Sequence, residues 1–342
     1  MASTFKYFWG SLLFTLVALA AAFLLGYQAG GNVSSGLAAL FTALMLGVLE
    51  ASLSFDNAVV NARILENMSP FWRRMFLTVG VVIAVFGMRI VFPVVLVWAV
   101  SSLPFGEVLT MTWQDPRHFQ SILVEQHLLI AGFGGAFLWM VFAKFFFDQE
   151  KSIHWIPGLE KVLAKLGRME SVWVLVALGV TLVFHQLMPP LHRPEFLMAS
   201  MVGILVFLLV DGLGSLLQSD NLAAGAGLGA FLFLEVLDAS FSFDGVIGAF
   251  AITDSLYLIG LGLGIGAFFV RSLTIKLVAD KTLGAFRYLE HGAFWAIGAL
   301  ALILFLAAVE IEVPEVVSGC VGMVFIGLSF GASVIYNRRK SH

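Results

Sequence analysis

Charge is scarce in this chain. Asp, Glu, Lys and Arg make up 12% of its 342 residues, against about a quarter in a soluble domain. The formal net charge is only −3, too small to draw nucleic acid or an acidic partner. Cysteine is nearly missing as well. The single Cys320 excludes an internal disulfide and any Cys-rich metal site, and among Gly and Val it reads as a small packing residue. With no thiolate set and no clustered His, Zn²⁺ and Cu⁺ are poorly served. The Gly-rich runs "GFGGAF" and "GLGLGIGAF" follow no strand and precede no Lys-Ser pair. They read as close helix packing rather than phosphate loops. The 12 Met residues are scattered and read as packing or lipid-facing side chains.

What fills the chain instead is apolar. Hydrophobic residues make up 60% and mean hydropathy is +0.97. Runs of about 20 apolar residues recur, each long enough to cross a bilayer core of roughly 30 Å. Ten spans are predicted, at residues 9–26, 37–61, 75–100, 124–147, 171–188, 196–217, 224–250, 255–277, 292–310 and 316–336. The expected fold is an all-α polytopic membrane protein. Lys6 and "ALAAA" give the first span some features of a signal peptide, but the repeat described below assigns it as a helix. Orientation follows the basic residues of short loops. Arg63, Arg73, Arg74, Lys151, Lys161, Lys165, Arg168, Lys281, Arg287 and the tail Arg338, Arg339 and Lys340 all fall on one side if both termini are cytoplasmic. Segment 102–123 then reads as an outer loop.

The chain is written twice. "LEASLSFDNAVVNA" from Leu49 returns as "LDASFSFDGVIGAF" from Leu237, so that Glu50 meets Asp238 and Asp56 meets Asp244 at an offset of 188. Arg89 meets Arg271 at an offset of 182, and His127 meets His291, and Asp148 meets Glu312, at 164. Offsets that only shrink are expected of shorter loops in the second copy. Residues 1–190 thus form a first repeat of helices 1–5, and 191–342 a second of helices 6–10. Because five is odd, the halves insert with opposite orientation, a 5+5 inverted-topology repeat of the kind found in many secondary transporters.

Glu50, Asp56, Asp211, Glu235, Asp238 and Asp244 all lie within the predicted spans. Arg89 and Arg271, also within spans, are read as the intramembrane cations that stand against them. Each charge at the bilayer centre costs roughly 2.5–3.5 kcal/mol on insertion scales. Protonation, water or a bound cation must relieve the imbalance. Glu50, Ser54, Asn57 and Asn61 share one helical face, as do Glu235, Asp238, Ser242 and Gly245. Asp56 and Asp244 point about 120° away from those faces on a regular helix. Either they address a different neighbour, or the helix opens at Ser-Phe-Asp, with Gly245 favouring an opening in the second copy. The donors are carboxylates, amides and hydroxyls, which suit hard cations such as Mg²⁺, Ca²⁺ and Mn²⁺. Arg89 and Arg271 read as charge-balancing partners of the Asp residues. His127 and His291 read as interface residues or ion-linked groups, Asp148 and Glu312 as solvated, and Asp220 with Asn221 as a turn. Asp211 is either a further ligand or the partner of a hydroxyl.

The paired phrases "SFDN" and "SFDG", each following an acid, resemble the TerC (tellurium-resistance) family of integral membrane proteins. The closest likeness is to its sister group, the domain of unknown function 475, within the LysE-like assemblage. The resemblance spans about Leu37 to Ala332. It implies a multi-pass inner-membrane transporter with manganese efflux as its activity. By motif match, Glu50, Asp56 and Asn57 in the first half, with Asp238 and Asp244 in the second, would carry the ion. Gly245, where the family often has a small polar residue, and the extra acid Glu235 depart from that pattern.

The resulting expectation is an exporter of a hard divalent cation, Mn²⁺ foremost, and not an enzyme. Asp56 and Asp244 are its core ligands, supported by Glu50, Asn57 and Asp238, with Glu235 on the approach. Proton coupling is expected because carboxylates that bind a dication surrender protons. Beyond that cation and the lipid bilayer no partner is expected, nor any prosthetic group. Two rivals stand: a proton-coupled exporter of an organic cation or amino acid, favoured by an aromatic-lined cavity at Phe55 or Phe243, and an intramembrane aspartyl protease using Asp56 and Asp244. The protease contexts Gly-x-Gly-Asp and Tyr-Asp are missing around both.

Overall fold

The computed structural model describes residues 2–169, 171–219, 223–250, 252–311 and 313–340. Within these, the side chains of 2–4, 214–219, 223–226, 243, 244, 247, 315, 316 and 319 lie outside the description. The described backbone is helical, without a strand. The helices are α1 (Ala2–Gly30), α2 (Val33–Leu53), α3 (Phe55–Glu66), α4 (Pro70–Met75), α5 (Phe92–Ser101), α6 (Phe105–Gln114), α7 (Pro116–Glu125), α8 (His127–Phe146), α9 (Pro157–Leu166), α10 (Val172–Leu187), α11 (Arg193–Ser219), α12 (Ala223–Phe250), α13 (Leu256–Ala279), α14 (Thr282–Ala285), α15 (Leu289–Ala308) and α16 (Glu315–Lys340). Between α4 and α5 run two π-helical stretches, Phe76–Gly80 and Ile83–Val91.

Eight helices among the described residues are long and apolar enough to cross a membrane. The pattern of exposure makes the same point. Leu16 and Phe41 are 68% and 61% exposed, whereas Glu50 and Arg89 are each 3% exposed. Apolar outside and charged inside is stable only where the surroundings are hydrocarbon. The chain is a multi-pass membrane protein.

Two compact units are present. The first comprises residues 1–54, 73–127 and 241–276, and the second 55–72, 128–240 and 277–342. In the first unit α1 and α2 form a tight hairpin. Gly31 turns the chain at φ +66°, and Asn32 caps α2 by accepting from Ser35 N–H at 2.9 Å. Small residues let the two helices touch: a Cβ on Gly26 would stand 2.5 Å from the Ala39 Cβ. The "GLGLGIGAF" run does what its composition predicts. Gly262 lies against Leu46, Gly264 against Val85 and Phe14, and Gly266 against Glu50, so α13 meets three neighbours at backbone distance. In the second unit "GFGGAF" packs the same way, with Gly132 on Phe196 and Gly135 on Phe305.

The sequence reading needs correction at two places. Segment 102–123 is not a loop but carries α6 and most of α7. The signal was Asp115-Pro116: Asp115 accepts from His118 N–H at 3.2 Å, and proline sits in the first helical turn. The span predicted at 37–61 is broken, because α2 stops at Leu53 and Ser54 leaves helical geometry at φ −99°, ψ 21°. Its counterpart α12 runs unbroken through Gly245, so the alternative of an opened helix is not taken in the second copy. Gly245 serves close approach instead, since a Cβ there would lie 3.0 Å from Glu50 Oε2.

Candidate functional site

In the first unit Glu50, at the last turn of α2, is buried against two small residues, Gly266 in α13 and Gly245 in α12. Its Oε1 accepts from Arg89 Nη2 and from Ser54 Oγ, the latter at 3.1 Å. Arg89 comes from the Ile83–Val91 π-helix, and its Nη1 donates to the Ala84 carbonyl five residues earlier. A π-helical turn, rare in itself, recurs at functional sites; here it presents Arg89 to Glu50 as a buried ion pair. Arg89 thus balances Glu50, not an Asp. Arg271 is equally buried, with its guanidinium 3.6 Å above the Phe76 ring, a desolvated cation–π contact.

In the second unit the site residues lie on α3, which packs against α15 and α16. The break at Ser54 puts Asp56 into the first turn of α3, where N–H groups lack helical acceptors. Asp56 is 5% exposed; its Oδ1 accepts from Asn57 N–H at 3.0 Å, and among the described residues it has no ion-pair partner. Its carboxylate faces α16, where a Cβ on Gly322 would stand 3.4 Å from Oδ2. Asn61, one turn beyond Asn57, faces α12 and donates to Asp238 Oδ1 at 3.0 Å. Both readings of the helical phase therefore hold in the first copy: the helix opens, and Asp56 addresses a neighbour different from that of Asn61. The Oδ1 atoms of Asn57 and Asn61 are buried without a hydrogen-bond partner among the described residues. Glu235, one turn before Asp238 on α12, is half-buried.

The structure brings Glu50 to Arg89 and Asn61 to Asp238. The side chain of Asp244 lies outside the described residues, as do Phe243, Asp220, Asn221 and Glu312. Among the described residues no three His, Cys, Asp or Glu side chains gather as a metal-binding group.

Several groups escaped the sequence reading. Lys144, in the last turn of α8, pairs with Asp211 of α11, so Asp211 partners a cation rather than a hydroxyl. A predicted span ending at 147 already contained that lysine. His291 does not merely mark a helix end: its Nε2 lies 2.8 Å from the Ile153 carbonyl and 3.5 Å from Glu160. Glu160, 1% exposed in α9, also accepts from Trp155 N–H at 2.9 Å and Trp295 Nε1–H at 3.1 Å. These ties hold segment 148–157 against α15. Asp148 is exposed, as expected, and accepts from Glu150 N–H at 2.9 Å. Cys320 is exposed rather than packed.

No curated protein and no solved structure matches the chain. Residues 55–340 match a family model described as "Protein of unknown function (DUF475)". That match begins at α3, one residue before Asp56, and runs through α16. On it, this multi-pass membrane chain belongs to the DUF475 family.

Proposed function

We propose that the chain is an inner-membrane transporter that exports a hard divalent cation, with Mn²⁺ as the cargo. The observation that carries this reading is on α3. Asp56 is buried without a counter-cation, and the amide oxygens of Asn57 and Asn61 are buried without donors, all among the described residues. A buried acceptor left unsatisfied costs about 1–3 kcal/mol, and two such amide oxygens on the helix that carries the Asp56 carboxylate are candidate donors for a cation. The atoms are oxygens, the preference of Mg²⁺, Ca²⁺ and Mn²⁺.

The charge balance supports the same reading. Arg89 neutralises Glu50, whereas Asp56 has no ion-pair partner among the described residues. We read Asp56 and Asp244 as the core ligands, with Asn57 and Asp238 as supports and Glu235 on the approach. Glu50 is retained as a support, held in place by Arg89.

We further propose the 5+5 inverted repeat with both termini cytoplasmic, and kinship with TerC within the LysE-like assemblage. Unit membership supports the repeat in part. Residues 73–100 share one unit with their repeat equivalents 256–276, and α8 and α10 share the other with their equivalents α15 and α16. The equivalent first helices, α1 and α11, fall in different units.

The test is elemental analysis of cells grown in excess manganese, expressing wild type or the double variant Asp56→Asn with Asp244→Asn. The proposal expects wild type to lower cellular Mn and the variant not to. Equal Mn, Mg and Ca in the two strains would end it.

A further inference from the structure

The second unit holds a cavity of about 820 Å³ that the cation reading does not use. A dication with six waters, at about 30 Å³ each, needs roughly 180 Å³. Small-molecule sites run from about 300 to 1,000 Å³ and are mostly apolar with a few placed polar groups. This cavity fits that description. Phe145 and Phe294 stack flat at 3.8 Å on one wall, while Phe207 and Phe233 meet edge to face at 5.9 Å on another. The charged lining residues among those described are Arg63, Lys144, Asp148 and Asp211, two of each sign.

The charges decide the ligand class. A free cation would meet Lys144 and Arg63, and a free anion would meet Asp148 and Asp211. A neutral apolar molecule would leave the Lys144–Asp211 pair against hydrocarbon. A zwitterion with an apolar body meets none of these penalties: its anion can take the place of Asp211 on Lys144, its cation the place of Lys144 on Asp211, and its body lies on the phenylalanines. Lys144 and Asp211 are each partly exposed to the cavity, so exchanging their mutual contact for ligand contacts buries no charge alone. Arg63 is held by Glu290 at 2.8 Å, which fixes a cation on the cavity wall.

We propose that this cavity binds a small zwitterion with an apolar body, through Lys144 and Asp211. A free amino acid and the headgroup of a zwitterionic lipid share this chemistry. The proposal is independent of the cation reading and shares no residue with it.

The test uses the purified full-length chain in detergent, with L-leucine and L-phenylalanine as probes in calorimetric titration. N-acetyl-L-leucine and L-leucine methyl ester, each carrying one charge, serve as comparators. Saturable amino-acid binding, at least tenfold weaker for either comparator, supports the free-zwitterion source. Retention of phosphatidylethanolamine but not phosphatidylglycerol through delipidation, read by native mass spectrometry, supports the lipid source. Neither result, or equal binding of zwitterion and comparators, overturns the proposal. Lys144→Gln with Asp211→Asn keeps a hydrogen-bonding pair without charge and is expected to abolish binding of the retained ligand. Survival of binding in that folded variant also overturns it; if the variant does not fold, the comparator series on wild type decides. A failed metal-content experiment would leave these outcomes standing.

Discussion

Asn61 Nδ2 donates to Asp238 Oδ1 at 3.0 Å across 177 residues of chain, tying the first copy of the acidic phrase to the second. The bond joins α3 to α12 and orients the Asp238 carboxylate.

Asn61→Ala is expected to remove that donor from the half-buried carboxylate and to cost about 1 kcal/mol. Thermal unfolding in detergent would show it as a lowered midpoint, and Asp238→Asn in the same background should recover part of the loss. An unchanged midpoint in Asn61→Ala would mean that the bond contributes nothing.

The Glu50–Arg89 pair makes a sharper case. Arg89→Ala leaves a buried carboxylate uncompensated, at a cost of about 3–5 kcal/mol. The double variant Glu50→Gln with Arg89→Gln removes both charges and should be less destabilised than Arg89→Ala. A double variant worse than the single would show that the charges themselves hold α2 to the π-helical span. Unfolding midpoints of the set of variants give the coupling directly.

Gly266 tests close packing. A Cβ there would stand 2.5 Å from Glu50 Cβ and 2.7 Å from the Gly47 carbonyl, in backbone that cannot give easily. Gly266→Ala is expected to cost about 1–3 kcal/mol by overpacking. Gly10→Ala, where nothing lies within 4 Å, should be near neutral in the same unfolding assay.

Lys151 gives a pH dependence. Burial pushes its ammonium down from 10.5 to about 8, against the opposing pull of Glu160, Glu290 and Asp148, while the ammonium sits 3.4 Å above the Phe145 ring. Between pH 8 and 10.5 the unfolded chain binds more protons here than the folded one, so this residue's contribution to stability rises with pH. Below pH 8 both states are protonated and the contribution is flat at its lowest. The difference in unfolding midpoint between wild type and Lys151→Met should climb in favour of wild type from pH 8 to 10.5. A difference constant over that window would contradict the assignment.

Composition alone determined the membrane class, because apolar runs of span length with so little charge have no other stable setting. The repeated phrase likewise picked out Glu50, Asp56, Asp238 and Asp244, since acids in such runs cost too much to be incidental. Periodicity placed Asn57 and Asn61 on one face, and glycine spacing foretold the contacts of α13. What the sequence did not carry is which partner each charge takes. Arg89 balances Glu50 only because a π-helical turn aims it there. Lys144 reaches Asp211 only because α8 and α11 pack through Gly203 and Phe133. The helix opens at Ser54, whereas α12 runs on through Gly245, where the missing Cβ leaves room for the Glu50 carboxylate. Local preference fixes what a segment can do; contacts distant in sequence decide which of those options is taken, because a buried charge in hydrocarbon must find its partner in whichever helix packing brings near.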